Sequence, residues 1–205
     1  NGNIVVGQKV HKIYKRLVDE IANPRGDWIF DEEKANRPIE FIERFCKQSK
    51  GEWIGQPIQL QLFQKAYISA LFGFVHKETG FRRFKETLFL VARKNGKSTL
   101  LSGIALYMLM ADGEGGAEVY SVATKKDQAR IVFAEAVNMV RQSPALSKHL
   151  KKRKTDLYMS LTFSKFEPLA SDSNSLDGLN SHCVIIDELH AIKDRNLYEV
   201  MKQSM

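Results

Sequence analysis

Residues 87–99 constrain the fold more than any other part of this sequence. An apolar run at residues 87–91 predicts a buried strand, and apolar residues at helical spacing follow over residues 100–110. A short polar turn, Ala-Arg-Lys-Asn-Gly-Lys-Ser, lies between them. A strand, a Gly-Lys-Ser turn and a helix in this order are typical of a phosphate-binding loop.

The turn contains the residue types that a polyphosphate needs. Backbone N–H groups at a helix N-terminus donate to phosphate, and the helix dipole favours negative charge there. Gly96 lets the backbone approach closely, Lys97 can reach the β- and γ-phosphates, and the Ser98 hydroxyl can ligate Mg²⁺. A basic surface turn before a helix is the alternative interpretation of this segment alone.

The match to the full pattern G-x-x-x-x-G-K-[ST] is a variant. Its first position is Val91 instead of glycine, and two cations, Arg93 and Lys94, lie inside the loop. We interpret such a cation as a candidate arginine finger acting in cis on the γ-phosphate.

A second motif, Cys-Val-Ile-Ile-Asp-Glu-Leu-His, occupies residues 183–190. A β-branched strand covered on both faces and ending in two acids is the Walker B pattern. Asp187 would then hold Mg²⁺ and Glu188 would act as general base toward water. The alternative is a buried strand followed by a helix, with Asp187 as its N-cap. We assign His190 no role.

Composition narrows the class of protein. The chain has 205 residues and 43% hydrophobic residues, enough for one sizeable core, and its net charge of +7 favours a polyanionic partner. Two distant cysteines, Cys46 and Cys183, are expected to be buried thiols in a reducing cytoplasm. There is no metal-ligand spacing, no apolar run long enough for a membrane span and no signal peptide. The absence of an initiator Met indicates a piece of a longer chain.

Hydrophobic periodicity divides the chain into two parts. Helices predicted over residues 10–21, 31–48 (with Asp31 as N-cap) and 60–74 indicate an N-terminal helical subdomain at residues 1–80. The remainder, residues 81–205, is predicted to be a P-loop ATPase core. Its elements alternate, with a strand at 117–123, a helix to about 141 and one or two short strands within 157–166, which predicts an α/β fold with a mainly parallel sheet.

Two further features have open interpretations. The basic run at residues 148–154 contains Lys151, Lys152, Arg153 and Lys154, which could contact DNA phosphates or form a solvated helix end and turn. Gln64 lies upstream of the loop, where an amide could recognise adenine or simply be solvated.

The ordered set of motifs resembles the large terminase subunit of tailed bacteriophages, over nearly the whole chain. The matching segments, in chain order, are Gly55-Gln56-Pro57-Ile58 with Phe63-Gln64, Gly80-Phe81-Arg82-Arg83-Phe84, Ala92-Arg93-Lys94-Asn95-Gly96-Lys97-Ser98-Thr99, Ala123-Thr124-Lys125-Lys126-Asp127-Gln128-Ala129-Arg130, Ser175-Leu176-Asp177-Gly178-Leu179-Asn180 and Ile185-Ile186-Asp187-Glu188-Leu189-His190-Ala191.

The resemblance implies a RecA-like P-loop ATPase of the branch with an extra catalytic Glu, which hydrolyses ATP with Mg²⁺ to drive double-stranded DNA into a procapsid. It places adenine recognition on Gln64 and the Walker B acids on Asp187 and Glu188, and it accommodates Val91 and Arg93. The implied nucleotide-binding residues of the loop are Arg93, Lys94, Asn95, Gly96, Lys97, Ser98 and Thr99.

Two departures limit the resemblance. The family's coupling motif and its nuclease domain lie beyond the last residue, Met205, so the sheet is expected to be incomplete. Some members supply a trans-acting arginine from the position that is Asp177 here, which leaves Arg130, Arg141 and Arg153 as unranked candidates.

The resemblance also implies partners and a location. The family motor is a homo-oligomeric ring, commonly of five subunits, that docks on a portal protein in the host cytoplasm with a small terminase subunit. Two other functions stay open at this point. One is another P-loop motor such as a DExH-type helicase, and the other is a fragment that binds nucleotide or DNA without hydrolysis.

Overall fold

The computed structural model describes residues 6–170, 178–192 and 196–205. The chain forms two compact units. The first consists of Asn1–Glu40 with Leu60–Leu90, and the second of Phe41–Gln59 with Val91–Met205. In the part of the chain that the structure describes, no helix is long and apolar enough to cross a membrane.

Three predicted helices are present in the N-terminal part of the chain. They are α1 (Gln8–Ala22), α2 (Glu32–Phe45) and α3 (Leu62–Gly73). The predicted N-cap of α2 is confirmed, because the Asp31 carboxylate accepts a hydrogen bond of 2.9 Å from the Lys34 backbone N–H.

The first unit also contains two strands that periodicity did not predict. β1 (Trp28–Phe30) pairs antiparallel with β2 (Phe74–His76). Aromatic contacts across the pair stabilise it, with ring centroids 5.2 Å apart for Phe30 and Phe74. The close approach of this ribbon to α3 requires glycine at Gly73, since a Cβ there would lie 2.5 Å from the Phe30 ring.

One five-stranded sheet organises the described part of the second unit, in the order β4-β5-β6-β3-β7. Its strands are β3 (Glu118–Ala123), β4 (Leu150–Lys152), β5 (Leu157–Met159), β6 (Ser164–Ala170) and β7 (Cys183–Ile186). Strand β3 pairs parallel with both β6 and β7, whereas β4, β5 and β6 pair antiparallel. The sheet is therefore mixed, and the prediction of a mainly parallel sheet is corrected.

Helices cover both faces of this sheet. α4 (Lys97–Met110) and α5 (Lys126–Gln142) pack against each other and against β3 and β6. The short α6 (Pro144–Ser147) follows. On the other face of the sheet, α7 (Asn196–Gln203) buries Leu197 and Met201 against Tyr120 and Val122 of β3. α4 is apolar on all sides and buried from Leu100 to Leu109 apart from Leu101, as expected for a helix inside a core.

The strand predicted immediately before the phosphate loop is absent from the structure. Residues 87–91 have no regular secondary structure, and Leu88 and Leu90 are 73% and 90% exposed. A strand persists only where its backbone groups find a ladder partner, and no described segment pairs with these residues. The apolar composition of residues 87–91 shows that the segment is hydrophobic, but it does not show whether another strand pairs with it.

Two burial predictions are also refined. Strand β7 is only partly covered, since Ile185 is buried while Val184 and Ile186 are half-buried. Cys46 is fully buried as predicted, and burial raises the pKa of its thiol to about 12. Cys183, on β7, is half-buried.

Candidate functional site

The loop before α4 is a tight turn with two residues in the left-handed region. Lys94 and Gly96 both adopt left-handed φ angles, of 66° and 70°. The Asn95 side-chain amide donates to the carbonyls of Ala92 (3.1 Å) and Arg93 (3.2 Å), which braces the turn from within. Gly96 is the N-cap of α4 and contributes no capping side chain, so the first N–H groups of the helix are available to a ligand.

Lys97, the first residue of α4, meets both acids of the second motif. Its ammonium lies 2.8 Å from Asp187 Oδ1 and 2.8 Å from Glu188 Oε1. Asp187 is buried at the end of β7, and Glu188 is partly exposed. Two motifs that lie 91 residues apart in sequence therefore form one cluster of a cation and two carboxylates.

The backbone at Glu188 is unusual for this residue type. Its φ of 54° and ψ of 47° are left-handed, and its N–H donates to Asp187 Oδ1 at 2.9 Å. Non-glycine residues rarely adopt this conformation, and such strain concentrates at functional sites. The conformation turns the chain at the end of β7 so that the two acids share one lysine.

Proton affinities in the cluster follow from these contacts. Hydrogen bonds to Asp187 and then to Glu188 raise the pKa of Lys97. The hydrogen bond from Lys97 lowers the pKa of Glu188. Both shifts favour the charged forms, so at neutral pH the cluster contains an ammonium and a Glu188 carboxylate.

The residues of this cluster provide only part of the oxygen ligands that a magnesium ion needs, and the phosphates of a nucleotide would provide others. Ser98 and Asp187 offer the hard oxygen atoms that Mg²⁺ prefers. Within the described ranges no group of three or more His, Cys, Asp or Glu side chains could hold a metal. Proteins commonly bind Mg²⁺ through one or two carboxylates together with substrate phosphates, so the sparse donor set is compatible with a metal that arrives with a nucleotide.

The remaining loop residues are placed at the surface. Arg93, Lys94 and Asn95 are exposed, while Ser98 and Thr99 are half-buried in the first turn of α4. His190, to which we assigned no role, lies 3.3 Å from Glu188 Oε2. This contact could have been predicted from the sequence, because His190 follows Glu188 by only two residues.

Gln64 lies in the first unit and has a structural partner there. Its side-chain oxygen accepts a 2.9 Å hydrogen bond from the Gln61 N–H and forms a capping box at the start of α3. The side chain is buried, so the solvated-glutamine interpretation is wrong.

The basic run at residues 148–154 begins at the C-cap of α6, Lys148, and continues along the edge strand β4 and the following turn. Arg153 forms an ion pair with buried Asp156 and stacks on Tyr158, with its guanidinium 3.9 Å from the ring centroid. Lys152 donates to a backbone carbonyl and lies over the Phe133 ring. All four cations from Lys151 to Lys154 are exposed, and the charged ends of Lys152 and Arg153 are engaged in the contacts just given.

The candidate trans-acting arginines are not brought to the site by any contact described here. Arg130 and Arg141 are exposed on α5, and Arg153 is paired with Asp156. Asp177 and the preceding Ser175 and Leu176 lie outside the described residues.

Fold and site together define an α/β protein in which a lysine at a helix N-terminus meets an acid pair at the end of a parallel strand. The family model for the ATPase domain of the terminase large subunit matches residues 62–205. The chain belongs to this family.

Individual relatives agree with the family assignment. The chain is 32% identical over 163 residues to the terminase large subunit of Enterobacteria phage HK97, covering 78% of this chain and 31% of that protein. It is 23% identical over 189 residues to the terminase large subunit of Lactococcus phage p2, covering 88% and 35%. The crystal structure of the HK97 bacteriophage large terminase superposes with a TM-score of 0.71 at 27% identity, covering 84% of this chain and 35% of that one. The chain thus spans about a third of the length of these relatives.

Proposed function

We propose that this chain binds ATP at the loop of residues 91–99 and hydrolyses it, as the motor domain that drives double-stranded DNA into a phage procapsid. The single observation that supports this best is the contact of Lys97 with both Asp187 and Glu188. A phosphate-binding lysine beside a metal-binding acid and a general base is the minimum set for phosphoryl transfer to water.

Each residue has a distinct role in this proposal. The N–H groups of the first turn of α4, together with Arg93, Lys94, Asn95 and Thr99, bind the phosphates, and Lys97 neutralises charge on the β- and γ-phosphates. Arg93 acts in cis on the γ-phosphate. Ser98 and Asp187 hold Mg²⁺, which when bound supplies positive charge to the phosphate oxygens. Gln64 recognises adenine.

Glu188 is the proposed general base, and its contact with Lys97 has a consequence for timing. While Lys97 donates to it, the pKa of Glu188 is lowered and the carboxylate is a poor proton acceptor. When Lys97 turns to phosphate, Glu188 loses this partner and becomes more basic. Binding of phosphate to Lys97 would therefore make Glu188 a better base at the moment when the loop contains a nucleotide.

The wider assignment follows the family. We propose that residues 81–205 form a RecA-like ATPase core of the extra-glutamate branch and residues 1–80 a helical subdomain. The intact protein would work in the host cytoplasm as a homo-oligomeric ring on a portal protein, with a small terminase subunit and a nuclease domain of its own. Exposed cations at Lys151 and Lys154, with Lys152 and Arg153 beside them, would contact duplex DNA.

ATP affinity and ATP turnover, measured side by side, test the proposal. Wild type should bind ATP, Lys97→Ala should lose tight binding, and Glu188→Gln should bind without turnover. Glu114→Gln, which removes an exposed carboxylate in the loop before β3, is the matched control and should behave as wild type. Unchanged affinity in Lys97→Ala would contradict the loop assignment, and normal turnover in Glu188→Gln would place the base elsewhere. Binding without turnover in wild type would favour a module that needs other segments or a neighbouring subunit.

A further inference from the structure

A cavity of about 350 Å³ opens beside the phosphate loop, within the second unit. It is a half-open recess that lies between the first turn of α4, one face of α5 and residues 48–50. Its lining residues are Gln48, Ser49, Lys50, Ser98, Thr99, Ile131 and Glu135. Neither Lys97 nor the two acids of the second motif line it, so the cavity is adjacent to the proposed site of hydrolysis but does not include it.

A buried carboxylate dominates the chemistry of this cavity. Glu135 is only 8% exposed, and its Oε1 accepts a 2.6 Å hydrogen bond from Ser49 Oγ. The Lys50 ammonium lies 3.7 Å from Glu135 Oε2, on a side chain that extends into solvent. A carboxylate has about four acceptor positions, so Glu135 can accept further hydrogen bonds from a ligand.

The walls of the cavity are held by backbone hydrogen bonds. The Gln48 N–H donates to the Gln56 carbonyl at 2.8 Å, and the Gly55 N–H donates to the Gln48 carbonyl at 2.9 Å. The Ser102 hydroxyl of α4 donates to the Val132 carbonyl of α5 at 2.8 Å, which joins the two helices next to the cavity. The segment that contains Ser49 is therefore held by its own hydrogen bonds, and Ser49 and Glu135 line the cavity together.

We propose that this cavity binds the ribose of the nucleotide, an inference that rests on the proposed function of the phosphate loop. With the terminal phosphates at Lys97, the other end of the nucleotide must leave along Ser98 and Thr99, where the cavity begins. Glu135 would accept hydrogen bonds from the ribose hydroxyls, and Lys50 at the mouth would contact the α-phosphate. Ile131 supplies an apolar wall for the sugar ring.

The charged groups of the cavity, a buried carboxylate and a neighbouring ammonium, favour a sugar phosphate over other ligands. A buried carboxylate repels free anions but binds hydroxyl donors, and the adjacent ammonium compensates for the phosphate that a nucleotide brings. The volume is at the small end of ligand pockets, which are about 300–1,000 Å³.

Binding measurements with four ligands test this inference. ATP, 2′-deoxy-ATP, 3′-deoxy-ATP and inorganic tripolyphosphate would be titrated into wild type, Glu135→Gln and Ser49→Ala, with Glu114→Gln as the control. Glu135→Gln should weaken ATP binding up to about tenfold, because hydrogen bonds from the ribose to a carboxylate would become weaker bonds to a neutral amide. Tripolyphosphate, which has no ribose, should bind within about twofold of wild type. The preference of wild type for ATP over the deoxy nucleotides should collapse in Glu135→Gln.

The outcomes separate this inference from the proposed function. Equal weakening of ATP and tripolyphosphate in Glu135→Gln would mean that the carboxylate only holds the Ser49 segment in place, and would overturn the ribose assignment. Unchanged ATP affinity and unchanged discrimination would overturn it as well. If Lys97→Ala still bound ATP as wild type does, the phosphate loop itself would be wrongly assigned and both proposals would fail.

Discussion

Replacing Glu188 with Gln should tighten ATP binding while it stops hydrolysis. Lys97 lies 2.8 Å from a carboxylate oxygen of each acid, so its ammonium must give up part of this pairing before it contacts a phosphate. The Glu188 side chain is 40% exposed, which places this ion pair in the range of about 0.2–1 kcal/mol. Removing it should lower the dissociation constant about 1.4- to 5-fold. The amide introduced by Glu188→Gln would still accept a neutral hydrogen bond from Lys97, which holds the gain toward the lower end.

Equilibrium titration with ATP in the absence of Mg²⁺ isolates this effect from metal binding. The gain should shrink as ionic strength rises, because screening weakens partly exposed ion pairs. Glu114→Gln removes the same charge from an exposed loop and reports any general effect of net charge. If Glu188→Gln bound ATP no more tightly than wild type and Glu114→Gln, the competition between acid and phosphate for Lys97 would be refuted.

Two further predictions address the basic edge and the buried thiol. Changing Lys151 and Lys154 together to Gln should reduce the slope of log K against log salt for duplex DNA by about 1.8, since each phosphate contact contributes about 0.9; an unchanged slope would identify a solvated edge. Because burial raises the pKa of Cys46 to about 12, iodoacetamide at mildly alkaline pH should leave it unmodified in the folded protein and label it after denaturation. Labelling of Cys46 at equal rates in both states, read by mass spectrometry, would contradict its burial.

The helices and the motifs were predictable because their signals are local. The helical spacing of apolar residues predicted α1, α2, α3, α4 and α5, and Asp31 marked the start of α2 correctly. Lys97 and the acid pair were identified by short patterns whose residue types are fixed by phosphate and metal chemistry. The two acids follow the parallel strand β7, as functional residues often do, whereas no strand immediately precedes Lys97 among the described residues, so the 2.8 Å contact between the motifs depends on the packing of α4 against β7.

The failures all concern contacts between distant segments. The antiparallel pairing of β4 with β5 and of β5 with β6 depends on partners that periodicity does not identify. The apolar run at residues 87–91 was assigned as a strand although a strand exists only with a neighbour. The short β1–β2 ribbon was missed because three-residue apolar runs carry little periodic signal.

The cavity at Ser49 and Glu135 could not be predicted from the sequence, because it too depends on contacts between distant segments. Its two polar residues lie 86 positions apart and belong to no motif. Each alone resembles an ordinary surface residue, and only the packing of α5 and the loop before Pro57 makes them a buried pair. Sites built by tertiary contact instead of by a contiguous pattern need a structure to be recognised.

The burial of α4 has a mechanical consequence. A helix that is enclosed over most of its length cannot slide or tilt without opening voids in the core, and each exposed methylene would cost about 0.8 kcal/mol. The amides at its first turn are therefore a stiff platform whose positions are fixed before any ligand arrives. The four-carbon side chain of Lys97 can change conformation at little energetic cost. Ligand binding would therefore move this side chain while the backbone of α4 stays in place.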